Sequence, residues 1–139
     1  MAKTYHLKFD GYWSDPNKNK LPGCAGVYVV SKGSLLESGK VEIEEIIYIE
    51  AAQNVYARHN DKEHEHYKDF IRVCGGVEYV WYSCAQISGG ESERKRVENA
   101  LIYRLQPVIN DKGKDSFSFP DTTIYTEGEN VGILKFFTV

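Results

Sequence analysis

The chain has 139 residues, a length that fits one domain around one core. Hydrophobic and charged fractions of 42% and 27% are ordinary for a globular protein. Seventeen basic against twenty acidic residues give a net charge of −3, which excludes a protein that coats nucleic acid by bulk charge; a nucleic-acid function must rest on a local site. The cysteines Cys24, Cys74 and Cys84 form no CxxC pair and leave an odd count. With no secretory pattern at the N-terminus, they indicate a reduced, cytoplasmic protein with cysteines as small buried side chains. No apolar run reaches the roughly 20 residues of a membrane span, so no membrane contact is expected.

"TYHLKF" (4–9) alternates and reads as a strand. "GYWSDPNKNKLPG" is polar and carries two prolines, the pattern of a loop. "GVYVV" (26–30) is β-branched and aromatic, a second strand. "SKGSLLESGK" reads as a turn region, and "VEIEEIIYIE" (41–50) as a third strand. Its second half is fully apolar, which predicts a central strand covered on both faces. "QNVYARHN" should open a helix capped by Asn54 or a neighbour. "HYKDFIRVC" places Tyr67, Phe70, Ile71 and Cys74 at helical spacing, with Gly75 and Gly76 as its stop. "VEYVWYSCAQI" (77–87) is a further strand. Ser88 and Glu91 offer a capping box for a long helix, "ESERKRVENALIYRLQ", with Val97, Leu101, Ile102 and Leu105 inward and Pro107 as terminator. A polar loop follows, then a β-hairpin in "TTIYTEGENVGILKFFTV". The sum is one α+β domain without repeat, linker or low-complexity segment.

Taken singly, few residues demand a site. Glu98 stands beside the apolar stripe of the long helix, where it could simply pair with Arg94. Asn110 follows a proline stop, an ordinary turn position. His59, His64 and His66 look like a metal set, but residues two apart do not share a helix face and no cysteine or fourth histidine completes a zinc site; they read as surface residues near a cleft.

Together, "GVY" at 26–28, "YI" at 48–49, Arg58, and "VENALIYRLQPVIN" at 97–110 resemble the GIY-YIG nuclease family. Gly26-Val27-Tyr28 matches the first motif, with valine for isoleucine, and Tyr48-Ile49 opens the second. Arg58, Glu98 and Asn110 fall where the family carries its arginine, metal-binding glutamate and asparagine. The resemblance covers about residues 24–111, the expected core, with 112–139 as an extension. It implies a central three-stranded antiparallel sheet flanked by helices, with the N-terminal strand and C-terminal hairpin outside that core.

It also implies phosphodiester hydrolysis. That reaction needs an activated water, a stabilised phosphate and a neutralised leaving oxygen. By resemblance, Glu98 is the ligand of Mg²⁺ or Mn²⁺, Arg58 clamps the scissile phosphate, Tyr28 activates water with Tyr48 assisting, and Asn110 positions the site. "ERKR" and "KGKD" bring positive charge near it.

Glu50 is the largest departure, because the family has glycine there. Alternation puts residues 48 and 50 on one side, so the carboxylate is expected to face the cleft, where it would repel phosphate or add a metal ligand. Ala51 and Ala52 replace a lysine and a hydroxyl residue of some members, and the loop between the tyrosine motifs is longer than usual. Two functions follow. The first is a metal-dependent DNA endonuclease. The alternative is an impaired module of the same fold that binds nucleic acid or a protein without cutting. A third class, an interaction protein docking through "DSFSF" and "ILKFF", has less behind it.

Overall fold

In the computed structural model, which describes residues 1–61 and 64–139, the β-branched and aromatic runs pair into one mixed sheet. The strands are β1 (Lys3–Ser14), β2 (Gly26–Leu35), β3 (Val41–Ala52), β4 (Val80–Gln86), β5 (Thr122–Gly128) and β6 (Phe136–Thr138). Their spatial order is β3-β2-β4-β1-β5-β6. The α-helices among the described residues are α1 (Val55–His59), α2 (Tyr67–Cys74) and α3 (Glu91–Leu105), with 3-10 turns at Asp15–Lys20 and Val77–Tyr79.

The α+β class is as expected, but the three-stranded sheet is not. β3, β2 and β4 do lie side by side and antiparallel. The sheet continues through β1, antiparallel to β4 and parallel to β5. The terminal strands therefore extend the central sheet instead of lying outside it. The cause is in the alternation of β1. Tyr5, Leu7 and Phe9 point inward and join Val27, Val29, Ile49, Ile124 and Phe137 in one apolar cluster under Val97, Ala100, Leu101 and Ile102 of α3. Pairing with β4 also satisfies backbone groups that an open edge would leave unpaired.

The opposite face carries Tyr28, Val30, Ile47, Tyr48, Tyr82 and Cys84, covered by Val55 of α1 and Phe70 and Cys74 of α2. With helices on both sides, "GVYVV" of β2 is buried throughout, as a two-sided apolar run predicts. The same logic misplaced β3. It is an edge strand, and its apolar half is buried because both faces are covered and its edge is closed by residues 109–110. The Ile109 N–H donates to the Ile47 carbonyl at 3.0 Å. The Asn110 side chain accepts from the Ile49 N–H at 3.0 Å and donates to its carbonyl at 2.9 Å, standing in for a neighbouring strand.

Local signals behave unevenly. Asn54 caps α1, accepting from the Ala57 N–H at 3.0 Å. Gly75 ends α2 in the left-handed region at φ +85°. The Ser88–Glu91 capping box does not form, because α3 starts at Glu91 itself, behind Gly90; a box needs its acid at the third helical position. Residues 11–14 extend β1, residues 15–20 of the expected loop wind into the 3-10 turn, and 21–23 stay irregular. That turn is anchored by Asp15, which accepts from the hydroxyls of Tyr67 at 2.8 Å and Tyr82 at 2.7 Å. Val77–Tyr79, read as strand, is the other 3-10 turn.

Candidate functional site

Glycine at position 26 sets the site's first strand. A Cβ there would stand 2.1 Å from the Ala85 carbonyl oxygen, so only glycine lets β2 lie this close to β4. Two residues on, Tyr28 is fully buried on the face covered by α1 and α2. Its cross-strand partner in β3 is Glu50. Tyr48 precedes Glu50 by two residues and points the same way, as alternation requires. The Asn54 cap starts α1 immediately beyond β3, which returns Arg58 toward the end of that strand.

These side chains close on one point, the Glu50 carboxylate. The Tyr28 hydroxyl donates to Oε1 at 2.5 Å and the Tyr48 hydroxyl to Oε2 at 2.8 Å. Arg58 forks onto both oxygens, Nε to Oε1 at 2.6 Å and Nη2 to Oε2 at 3.2 Å. His64 adds a second layer. Its Nδ1 accepts from the His66 backbone N–H at 3.2 Å, which leaves the proton on Nε2 to donate to the Tyr28 oxygen at 2.9 Å. The His59 ring stands edge-on to Tyr28, centroids 3.9 Å apart.

The electrostatics follow from this packing. Burial, then the Glu50 charge, pushes both phenols far above the ordinary tyrosine range. Burial alone would raise Glu50, but the hydrogen bonds from Arg58, Tyr28 and Tyr48 outweigh it and hold the carboxyl below its usual value. Hydrogen bonding to Glu50 raises Arg58. His59 is lowered to about 3 by burial and by His64, and His64 to about 4 by burial and by Arg58. At neutral pH the cluster is one ion pair inside a shell of neutral phenols and imidazoles. Both phenols donate their protons to Glu50 in this arrangement.

Glu98 and Asn110 belong to an adjoining cleft. It has a volume of about 460 Å³ and lies beside the outer edge of β3, lined by Tyr48, Glu65, His66, Lys95, Glu98, Asn110, Asp111 and Lys112 among others. Glu98 comes from α3, on the other side of the sheet from Tyr28, and faces Lys95 at 3.9 Å instead of Arg94. Burial raises its pKa, opposed by the Lys95 charge and the Ala51 backbone. The site residues read from the sequence thus fall in two linked groups. Tyr28, Tyr48 and Arg58 meet at Glu50; Tyr48, Glu98 and Asn110 line the cleft.

Among the described residues, no three His, Cys, Asp or Glu side chains gather as a metal set. Glu98 would suit a hard cation held otherwise by water and phosphate oxygens, with Glu65 and Asp111 lining the same cleft. Glu50 is engaged by Arg58 and offers no free second carboxylate.

The histidines need correcting. His59 and His64, expected at the surface, are 3% and 6% exposed and pack against Tyr28. They were hidden by their setting, the charged run "HNDKEHEH", which reads as solvated. The usable signal was Tyr28 itself, a buried phenol that needs polar rings above it. Only His66 reaches the cleft.

Comparison with protein-family models, with curated proteins and with solved structures found no match.

Proposed function

We propose that the protein is a nucleic-acid-binding module on the GIY-YIG nuclease plan, with its cutting chemistry held off by Glu50. One observation carries this reading: the donors that would hold a scissile phosphate, two phenols and a guanidinium, converge on an anion that the chain itself supplies. A phosphate oxygen needs the same short, charge-assisted contacts that Glu50 receives. While Glu50 holds them, the phenols stay protonated and Arg58 stays neutralised. Nucleic acid then meets the open cleft, where Lys95, Lys112 and His66 stand among the carboxylates Glu65, Glu98 and Asp111, which a divalent cation would bridge to phosphate. A divalent cation on Glu98 would supply Lewis-acid stabilisation of a phosphate there.

A second reading, a working metal-dependent DNA endonuclease, is favoured by a specific feature. Glu98, Tyr48 and Asn110 share one open cleft, and the Glu50 side chain keeps 18% of its surface exposed, within reach of an incoming phosphate.

Supercoiled plasmid with Mg²⁺ or Mn²⁺ separates the two. The proposal expects wild type to bind plasmid without nicking it, and Glu50→Gly to nick it unless Glu98→Gln is also present. Nicking by wild type, lost in Glu98→Gln, would overturn the silencing and put the endonuclease first. Wild type that neither binds nor cuts DNA or RNA would overturn both.

A further inference from the structure

A row of aromatic rings stands on β1, β5 and β6, on the same face of the sheet as Tyr28 and Cys84 but at the far end from the Glu50 cluster on β3. His6 of β1 is the register partner of Tyr125 of β5, and Tyr125 is the partner of Phe136 of β6. Cross-strand partners project to the same face, so three rings from three adjacent strands form one line. His6 and Tyr125 are stacked, with centroids 4.8 Å apart and planes within 9°, and Tyr125 and Phe136 follow at 4.9 Å. Their neighbours in sequence, Tyr5, Ile124 and Phe137, point into the core. The rings therefore add nothing to the core beneath, and Tyr125 and Phe136 remain 42% and 53% exposed.

Lys8 and Lys135 flank the row, in a depression of about 400 Å³ shared with His6 and Tyr125. Glu127 is the cross-strand partner of Lys8 and lines the same depression, so the two lysines share it with one carboxylate. The adjacent row, Thr123 with Thr138, carries exposed hydroxyls hydrogen-bonded at 2.8 Å. An exposed line of π-faces with two lysines beside it and hydroxyls along it complements a strand of unpaired bases on a phosphate backbone. Bases stack on rings without regard to sequence, and lysines take the phosphates. A protein partner would more often meet a continuous apolar patch, and here Lys8, Glu127 and Lys135 interrupt the surface.

We infer that the His6–Tyr125–Phe136 face binds single-stranded nucleic acid by base stacking. The ligand class rests on the nucleic-acid reading above, but the surface is separate from the cleft.

Fluorescence anisotropy with a labelled oligothymidylate tests this, beside the same oligomer made abasic and a duplex of equal length. Wild type should bind the oligothymidylate more tightly than either. Tyr125→Ala and Phe136→Ala should each weaken binding at least about five-fold, since stacking on one ring is worth roughly 1–3 kcal/mol. Tyr125→Phe should keep it. Lys8→Ala with Lys135→Ala should flatten the log–log salt dependence by about 1.4, two phosphate contacts on a single strand. Circular dichroism confirms that each variant is folded. Equal binding of the abasic oligomer overturns the inference. So does loss of binding in Lys95→Ala/Lys112→Ala but not in the ring variants, an outcome that leaves the cleft reading standing. Ring variants that turn a wild-type dimer into a monomer in light scattering, with oligomer binding unchanged, assign the row to self-association and overturn it too.

Discussion

Replacing Glu50 by alanine removes the acceptor shared by Tyr28, Tyr48 and Arg58. Hydrogen bonds to a charged group are each worth about 1.5–3 kcal/mol, and they do not simply add. The Arg58 side chain is 26% exposed and can turn to water, which offsets part of the loss. The Tyr28 hydroxyl cannot, since that residue has no exposed surface. The net cost is therefore roughly 3 kcal/mol, between a surface pair and a fully buried one. In a chain of this length each 1 kcal/mol moves the melting midpoint by about 3–4 °C, so Glu50→Ala should melt about 10 °C below wild type. The variant also leaves three donors facing a vacated anion position. Inorganic phosphate should fill it, and at 100 times its Kd it returns about 2.7 kcal/mol, most of what was lost. Differential scanning fluorimetry across a phosphate series reads both effects, with wild type as the control for general salting-out. A midpoint within about 2 °C of wild type, or equal phosphate shifts in the two proteins, would refute the reasoning: Glu50 would then be a solvated side chain and no stand-in for phosphate.

Acid should loosen the same cluster before it touches the carboxylates. His59 and His64 have folded pKa values of about 3 and about 4 against 6.5 in the unfolded chain. Unfolding therefore takes up protons between those limits, so stability is full above about pH 7 and falls as pH drops toward 4. At pH 5 each histidine removes about 2 kcal/mol, and Glu50, whose folded pKa is depressed, adds its loss only at lower pH. Urea midpoints at pH 7.5 and 5.0 should differ accordingly in wild type and differ less in His59→Gln; a flat profile would place both rings in solvent. Asn110→Ala deletes two hydrogen bonds to the Ile49 backbone and should cost about 2 kcal/mol, with faster hydrogen exchange at the Ile49 amide as its signature. Asp15→Ala strands the Tyr67 and Tyr82 hydroxyls and should cost a similar amount, about 2 kcal/mol by chemical denaturation, with no effect on nucleic-acid binding.

Strand content was legible where periodicity was clean. The alternation of Tyr5, Leu7 and Phe9 and the strand at residues 26–30 follow directly from the sequence; that 26–30 is buried on both faces was not read there. The order of strands was not legible. Whether an apolar strand is central or is an edge covered by loop and helix depends on pairings far apart in sequence, and β3 presents the same pattern in either place. Its closure by Asn110, 61 residues downstream of Ile49, has no local signature. The missing capping box has a simpler cause. Glycines at 89 and 90, both at positive φ, delay the start of α3 until Glu91 has become its first residue.

The meeting of Tyr28, Tyr48 and Arg58 was legible in the sequence, but its charge state and the separation of Glu98 and Asn110 into an adjoining cleft were not. Sequence spacing put Tyr48 and Glu50 on one face and made Glu50 a problem, a lone negative charge expected to repel phosphate. The structure resolves that charge differently, by pairing it with Arg58 and the two phenols. No local rule couples residue 28 to residues 50 and 58; the cross-strand register of β2 and β3 and the Asn54 cap do so together. The same register explains why a glutamate is tolerated at a position that calls for glycine in the nuclease pattern. A carboxylate here does not crowd an empty cleft. It satisfies three donors that burial would otherwise leave costly, and so stabilises the fold. On the proposed reading, stability and cleavage are opposed at one residue. A change at position 50 that opens the site should weaken the protein, and the phosphate that the open site binds should restore it.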